Sequence, residues 1–277
     1  MTFLHNWIVP PGATVEPWTY ILTAFAAVMI MAVSKGGFGG GVGIISVPMM
    51  FYVAPTQFVL GLWVPVLVVA DLATIHQYPK EWNPRAFFRL APGVMLGIIL
   101  VTTLVHSINP LEHSPEEKKL DHFLRVGCGV VSLAFVALQL RPKRADTEND
   151  EPWEPSWAVS LPTGLIAGIT TMIANAAGPI VTMFFLPQKM EKRVFVGTCG
   201  RFYFIFNSIK IPFAMYCGWT SRTTLKFGAW MMVVGPVGVV LGRWLNNHLS
   251  AKWFEALVRF SLVFAGAKLI YDGVKSN

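Results

Sequence analysis

The chain has 277 residues, of which 54% are hydrophobic and 13% charged, with a formal net charge of +7 and a mean hydropathy of +0.53. Soluble domains carry about 25% charged residues, so this deficit, spread over several apolar runs of spanning length, argues against a soluble protein and for a polytopic membrane protein. The positive balance does not point to nucleic acid: the cations sit in short loops between apolar runs, and no basic helix with interleaved aromatics occurs.

In chain order, the first 34 residues contain no Lys or Arg. The basic start of a cleaved signal peptide is therefore missing, and the first apolar run is expected to be retained. That run covers residues 18–52 and is interrupted at 36–41, where five of six positions are glycine, beside Lys35. A second run covers 57–78, a third 86–108 and a fourth 122–140. Residues 141–157, RPKRADTENDEPWEPSW, are polar, acidic in the middle and proline-flanked, the composition of a solvated linker. The order then recurs, with a long run at 157–186 interrupted near 175–179, then runs at 194–219, 225–245 and 254–271.

The sequence thus reads as two halves of four apolar units, offset by roughly 140 residues. The predicted organisation is a first transmembrane repeat over 18–141, a polar cytoplasmic linker over 142–156 and a second transmembrane repeat over 157–273. If each broken unit goes in and comes back, the second half is inverted and Lys and Arg divide eleven inside to five outside. If each crosses once, the halves are parallel and the same loops divide nine to seven. Positive-inside bias prefers inversion. The predicted fold is all-α and polytopic, each repeat opening with a broken helix or a re-entrant hairpin; hydropathy leaves that last alternative open.

Lipid offers no hydrogen bonds, so irregular backbone at membrane depth needs protein cover or a watery cavity. Two breaks at matching places in two repeats point to a transporter's binding site. The N–H groups freed at a half-helix start form a seat for an anion. Gly39, Gly40, Gly41 and Gly43 let a ligand approach the backbone, as do the small residues Asn175, Ala176, Ala177 and Gly178, and Pro179 suits a helix start. The alternative is that small residues only let helices pack closely.

Ionisable groups inside a span cost at least about 2.5–3.5 kcal/mol, which makes each a functional candidate. Lys35 abuts the first break and is a candidate partner for an oxyanion. At 100° per residue, Arg201 and Lys210 fall on opposite faces of one helix, with Tyr203, Asn207 and Lys210 sharing a face. Arg201 offers a planar fork for an oxygen pair or, alternatively, a link to backbone carbonyls. Asn207 and Lys210 are candidates by their depth. Asp71 is the carboxylate well inside a span: it pairs with a cation or carries a coupling proton. Near the end of the same run, His76 reads as interfacial.

Six tryptophans near segment ends, Trp18, Trp82, Trp153, Trp157, Trp219 and Trp253, read as an interfacial belt. Cys128, Cys199 and Cys217 are odd in number and lack metal-ligand spacing. There is no HExxH, no paired intramembrane carboxylate and no P-loop, so neither an enzyme, nor a metal, nor a cofactor is expected.

Three stretches then carry a resemblance: GGFGGG…VP in the first half, AGITTMIANAAGP at 167–179 and FVGTCGRFYFIFNSIKIPF at 195–213. With the two-half layout, they resemble the sulfite exporter TauE/SafE family of membrane permeases over about residues 20–273. The second half departs from the glycine triplet common in that family, having Asn175-Ala176-Ala177 instead. The resemblance implies a multi-pass protein of the bacterial plasma (inner) membrane that moves sulfite or organosulfonates such as sulfoacetate, mostly by export. Its partners would be the anionic cargo and the lipid bilayer, with a homo-oligomer left open. Alternating access, with proton coupling as an option, is the first reading, and an anion channel is the alternative.

Overall fold

A computed structural model describes residues 8–10, 13, 15–41, 43–108 and 152–248, with five helical positions between 123 and 130. Its main helices are α1 (Pro17–Phe38), α2 (Ser46–Phe51), α3 (Thr56–Gln77), α4 (Pro84–Ile108), α5 (Trp157–Ala174), α6 (Gly178–Phe185), α7 (Lys192–Tyr216) and α8 (Arg222–His248). Short 3₁₀ turns occupy Gly43–Ile45 and Leu186–Gln188. Among the described residues there is no strand. The predicted runs at 122–140 and 254–271, and all of the linker before 152, lie outside the described residues apart from those five positions.

Five helices, α1, α3, α4, α5 and α8, are long and apolar enough to cross a membrane. The 25-residue α7 is as long but carries Lys192, Arg193, Arg201 and Lys210. The outer faces of α4 and α8 are apolar at helical spacing, with Leu96, Leu100 and Leu104 on one and Val233, Val237 and Trp244 on the other, all exposed. Such faces suit lipid and not water. The described residues are those of an all-helical, multi-pass integral membrane protein.

The order long, short, long, long is followed by α1, α2, α3 and α4, and again by α5, α6, α7 and α8. Both short helices follow a fold-back. After the first break Gly43 lies against α1, where a Cβ would come 3.2 Å from Met31 Cα. In the second half the Trp153 N–H donates to the Pro187 carbonyl at 3.1 Å, and the Trp153 ring meets Phe184 edge-on at 5.7 Å. The end of α6 therefore returns to the start of α5, as a hairpin.

Contacts give the helix directions. Gly93 and Gly97 of α4 lie against Leu161 and Leu165 of α5 in the same order, and Gly164 and Gly168 lie back against Leu90 and Val94. Thus α4 and α5 run the same way. Asn83 meets Thr198 and His106 meets Tyr216, so α7 runs with them. By contrast, Leu62 meets Gly228 and Gln77 meets Arg243, so α3 runs with α8. Met29 lies at Gly238 and Val33 at Gly242, which puts α1 parallel to both. Asp71 meets Asn207 and Tyr78 meets Arg201, so α3 and α7 are antiparallel. Directions in the first half are down, down, up; in the second they are up, up, down.

Glycine stripes at i, i+4 make the closest of these contacts possible. A Cβ on Gly97 would lie 2.4 Å from the Leu165 carbonyl oxygen, and one on Gly242 would lie 2.3 Å from that of Val33. Without side chains between them the backbones approach within dispersion range, the main attraction available where hydrophobic burial offers nothing. Prolines inside helices free carbonyls that tertiary partners then satisfy. Pro65 has no N–H for the Gly61 carbonyl, and the Thr220 hydroxyl donates to it at 3.0 Å instead. That approach draws Trp219 under α3, where it is buried and not part of an interfacial belt.

Candidate anion site between two helix breaks

The first break begins later than the glycine count predicts. Gly36 and Gly37 stay helical, because Gly36 is where α8 crosses: a Cβ there would sit 2.1 Å from the Val239 carbonyl oxygen. Helix α1 ends when Gly39 turns left-handed (φ 67°) and Gly40 follows (φ 83°), with both N–H groups folded back onto the Ser34 carbonyl. This leaves the Gly36 carbonyl free, and the Tyr78 hydroxyl donates to it at 3.1 Å. In the second half Asn175 takes the same left-handed role (φ 50°), one of the few side chains that tolerate it. After Ala176 and Ala177, α6 starts at Gly178-Pro179, with its first N–H groups lacking intrahelical acceptors.

The two breaks meet. A Cβ on Gly178 would lie 2.6 Å from the Gly40 carbonyl oxygen, and one on Gly41 would lie 2.6 Å from Thr182 Oγ1. Between them is a cavity of about 30 Å³, room for one or two waters. Lys35, Gly40, Gly43 and Ser46 line it from the first half; Asn175, Ala176, Gly178, Tyr203 and Asn207 do so from the second.

A polar chain crosses the molecule at this level. The Lys35 ammonium is ion-paired with Asp71 and lies 4.6 Å over the Tyr203 ring. The other carboxylate oxygen of Asp71 accepts from Asn207 Nδ2 at 2.7 Å. Lys210 donates to Asn207 Oδ1 (3.3 Å), Asn175 Oδ1 (2.5 Å), the Thr171 hydroxyl (3.1 Å) and the Thr171 carbonyl (3.1 Å). Lys35, Asp71, Asn207 and Lys210 are all at most 7% exposed. Four oxygen acceptors around one nitrogen suit an ammonium, which has three donors and no acceptor. With Asn175 Oδ1 facing Lys210, its Nδ2 is buried without a partner at the cavity.

Arg201 is elsewhere, as the helical wheel places it. Its guanidinium donates to the carbonyls of Tyr78 (3.0 Å), Glu81 (3.4 Å), Pro79 and Gly197 (3.2 Å), and lies 5.5 Å from the Trp82 ring centroid. Arg243 donates to the Gln77 carbonyl at 3.2 Å and to its side chain at 3.1 Å. Together they neutralise the carbonyl end of α3. Beside them, the Lys80 N–H and then Arg193 hold the Glu81 carboxyl below the usual carboxylate range.

Of the sequence candidates, the structure gathers Lys35, Gly40, Gly41, Asp71, Asn175, Ala176, Gly178, Asn207 and Lys210 around the meeting breaks. Gly39 is at the break but turned toward Phe195 and Cys199. Sequence reading did not single out Thr171, Trp63 or Ser46. Tyr203 carried a signal, as it shares a helical face with Asn207 and Lys210. Among the described residues no group of His, Cys, Asp and Glu could hold a metal ion.

A family model described as Sulfite exporter TauE/SafE matches residues 24–269. No curated protein and no solved structure matches the chain.

Proposed function

The chain belongs to the sulfite exporter TauE/SafE family, and from that premise we propose that it exports small sulfur-containing anions, sulfite or organosulfonates such as sulfoacetate, across a bacterial plasma membrane. The cargo site is the space between the two helix breaks. One observation carries the reading: two unwound segments from separate halves touch at a cavity lined by the buried Lys35 and by an unpaired amide donor, with buried Lys210 behind Asn175 and Asn207. An oxyanion is complementary to all of these. Lys35 and Lys210 supply charge, Asn175 Nδ2 and the first N–H groups of α6 supply directed donors, and the glycines keep side chains out of the way. Arg201 serves as a clamp on the α3 terminus and does not touch cargo. Asp71 is the carboxylate through which a proton can be linked to transport.

Alternating access is supported by two features. The opposite helix directions of the two halves fit an inverted repeat, the architecture in which one half rocks against the other around a fixed site. The second feature is asymmetric sealing. The cavity reaches Trp63 and Leu67 on the N-terminal side of Asp71. On the other side Tyr78 bonds Gly36, and Arg201 and Arg243 hold the α3 end. We read that sealed side as cytoplasmic, because the neighbouring loops carry Lys80, Arg85, Arg89, Lys189, Lys192 and Arg193.

Efflux from proteoliposomes loaded with labelled sulfite, thiosulfate, sulfoacetate, taurine or sulfate tests this. At least one of these anions should leave faster than from empty liposomes, and Lys210→Gln should slow it by about 10- to 100-fold, the loss expected for a charge-assisted bond. Efflux equal to that of empty liposomes for every anion overturns the reading. A flux that cannot be made concentrative by counter-exchange would turn it into a channel.

A further inference from the structure

The charges at the site can be counted. The contacts of Lys35 on α1 and Lys210 on α7 are those of ammonium groups, and Asp71 on α3, which accepts from both Lys35 and Asn207, is read as a carboxylate. Among the described residues the other titratable side chains facing Asp71 or Lys35 are Tyr203 and Cys199 of α7, both buried and uncharged as phenol and thiol. Helices α2, α5 and α6 contain no charged residue, and α4 has none beyond Arg89. On α8, which packs along α3, the charged residues are Arg222, Lys226 and Arg243, at its two ends; Arg243 is engaged by Gln77. Counted over the described residues, the site therefore carries a net charge of +1, from two ammonium groups and one carboxylate.

Uncompensated charge in a dry interior is costly. A monovalent anion brings this site to neutrality. A divalent anion overshoots to −1, and among the described residues Asp71 is the one group at the site that can correct the excess by taking a proton. Protonation also breaks the ion pair, which frees the Lys35 ammonium to face the second negative charge. Resting on the anion-transport reading above, we propose that the Lys35–Asp71–Lys210 cluster accepts one net negative charge per turnover, so that monovalent sulfonates cross alone and divalent sulfur anions cross with one proton held on Asp71. The proton comes from water on the loading side, resides on the carboxylate while the dianion is bound, and returns to water on the other side. Proton stoichiometry is then the cargo's valence minus one.

Wild-type protein in liposomes decides this without any variant. Methanesulfonate serves as the monovalent probe and sulfoacetate as the divalent one at neutral pH. With voltage clamped by potassium and valinomycin, a tenfold potassium gradient should accumulate either probe tenfold, since each turnover moves one net negative charge. A pH gradient of one unit should then multiply sulfoacetate accumulation by ten and leave methanesulfonate unchanged. Asp71→Asn, which raises the site to +2, should abolish the pH response and shift preference toward sulfoacetate. Sulfoacetate accumulation indifferent to the pH gradient, or methanesulfonate driven by it, overturns the proposal while leaving anion transport standing. If neither probe nor any other sulfur anion moves, the functional reading itself falls and takes this one with it.

Discussion

Each buried charge at this site is tied to a named partner, and the partners differ in what their loss would do. Lys35 and Asp71 form a buried pair. Removing one member leaves the other charged in a dry interior, so Lys35→Gln alone should destabilise the protein by about 3–5 kcal/mol. The double variant Lys35→Gln/Asp71→Asn should recover most of that while remaining inactive. Thermal unfolding in detergent, read beside flux, separates the two effects. Arg201 behaves differently. Its bonds go to carbonyls of the α3–α4 turn and of its own helix, so Arg201→Gln should lower stability and leave the apparent affinity for anion within about twofold of wild type, since no bond to cargo is lost. Asn175 separates backbone from side chain. Asn175→Gly keeps the left-handed turn at no steric cost, so fold and yield should hold, while Lys210 loses one of its four acceptors and transport weakens.

Packing along the helices depends on what is missing from them. On α4 and α5 four glycines, Gly93, Gly97, Gly164 and Gly168, leave backbone against backbone. Gly97→Val would drive carbon into the Leu165 carbonyl, and the expected result is loss of monodisperse protein on size-exclusion chromatography. Gly218 gives the contrast. Nothing lies within 4 Å of a Cβ there, but its φ is +74°. Gly218→Ala should therefore fold and cost only about 1 kcal/mol, through backbone strain alone. Prolines follow the same logic: Pro65 is tolerated mid-helix because the Thr220 hydroxyl donates to the Gly61 carbonyl it frees. Thr220→Val should cost about 1–3 kcal/mol, the penalty for leaving that carbonyl unpaired.

At the scale of the whole molecule, the helix directions put the α3–α4 turn and the start of α5 at one end of the bundle and the start of α8 at the other. In a background with the natural cysteines replaced, Lys80→Cys and Glu154→Cys should react with an impermeant maleimide from one side only, and Arg222→Cys from the opposite side. Labelling of all three from a single side would contradict the directions drawn from the helix contacts. The cavity between the breaks is too small for a four-heavy-atom oxyanion, so the described conformation is a constricted one. Cargo should protect a cysteine placed at Ala176 from labelling, and Tyr78→Phe, which removes the bond to Gly36, should raise reactivity at that position from the cytoplasmic side.

Much of this was legible in the residues alone. Run lengths located the six spans that fall on described residues to within a few positions, because bilayer thickness and helix rise leave little freedom. Glycine and small-residue clusters marked both breaks, since in lipid a helix is interrupted only where something else receives the freed backbone. Helical geometry already put Arg201 and Lys210 on opposite faces. Pairing across space was not legible. That Asp71 would meet Lys35 and Asn207, or Lys210 would reach Asn175, depends on which faces of α1, α3, α5 and α7 turn inward. The hydrophobic pattern of a helix apolar on nearly all sides does not specify that. Where α1 ends was decided the same way: Gly36 and Gly37 have weak helical preference, but the backbone of α8 packs against Gly36 and holds the turn. Sequence determined what must be buried and where the chain can bend; tertiary contact decided which buried groups neutralise one another, because ion pairing is settled by distance in three dimensions and not by order along the chain.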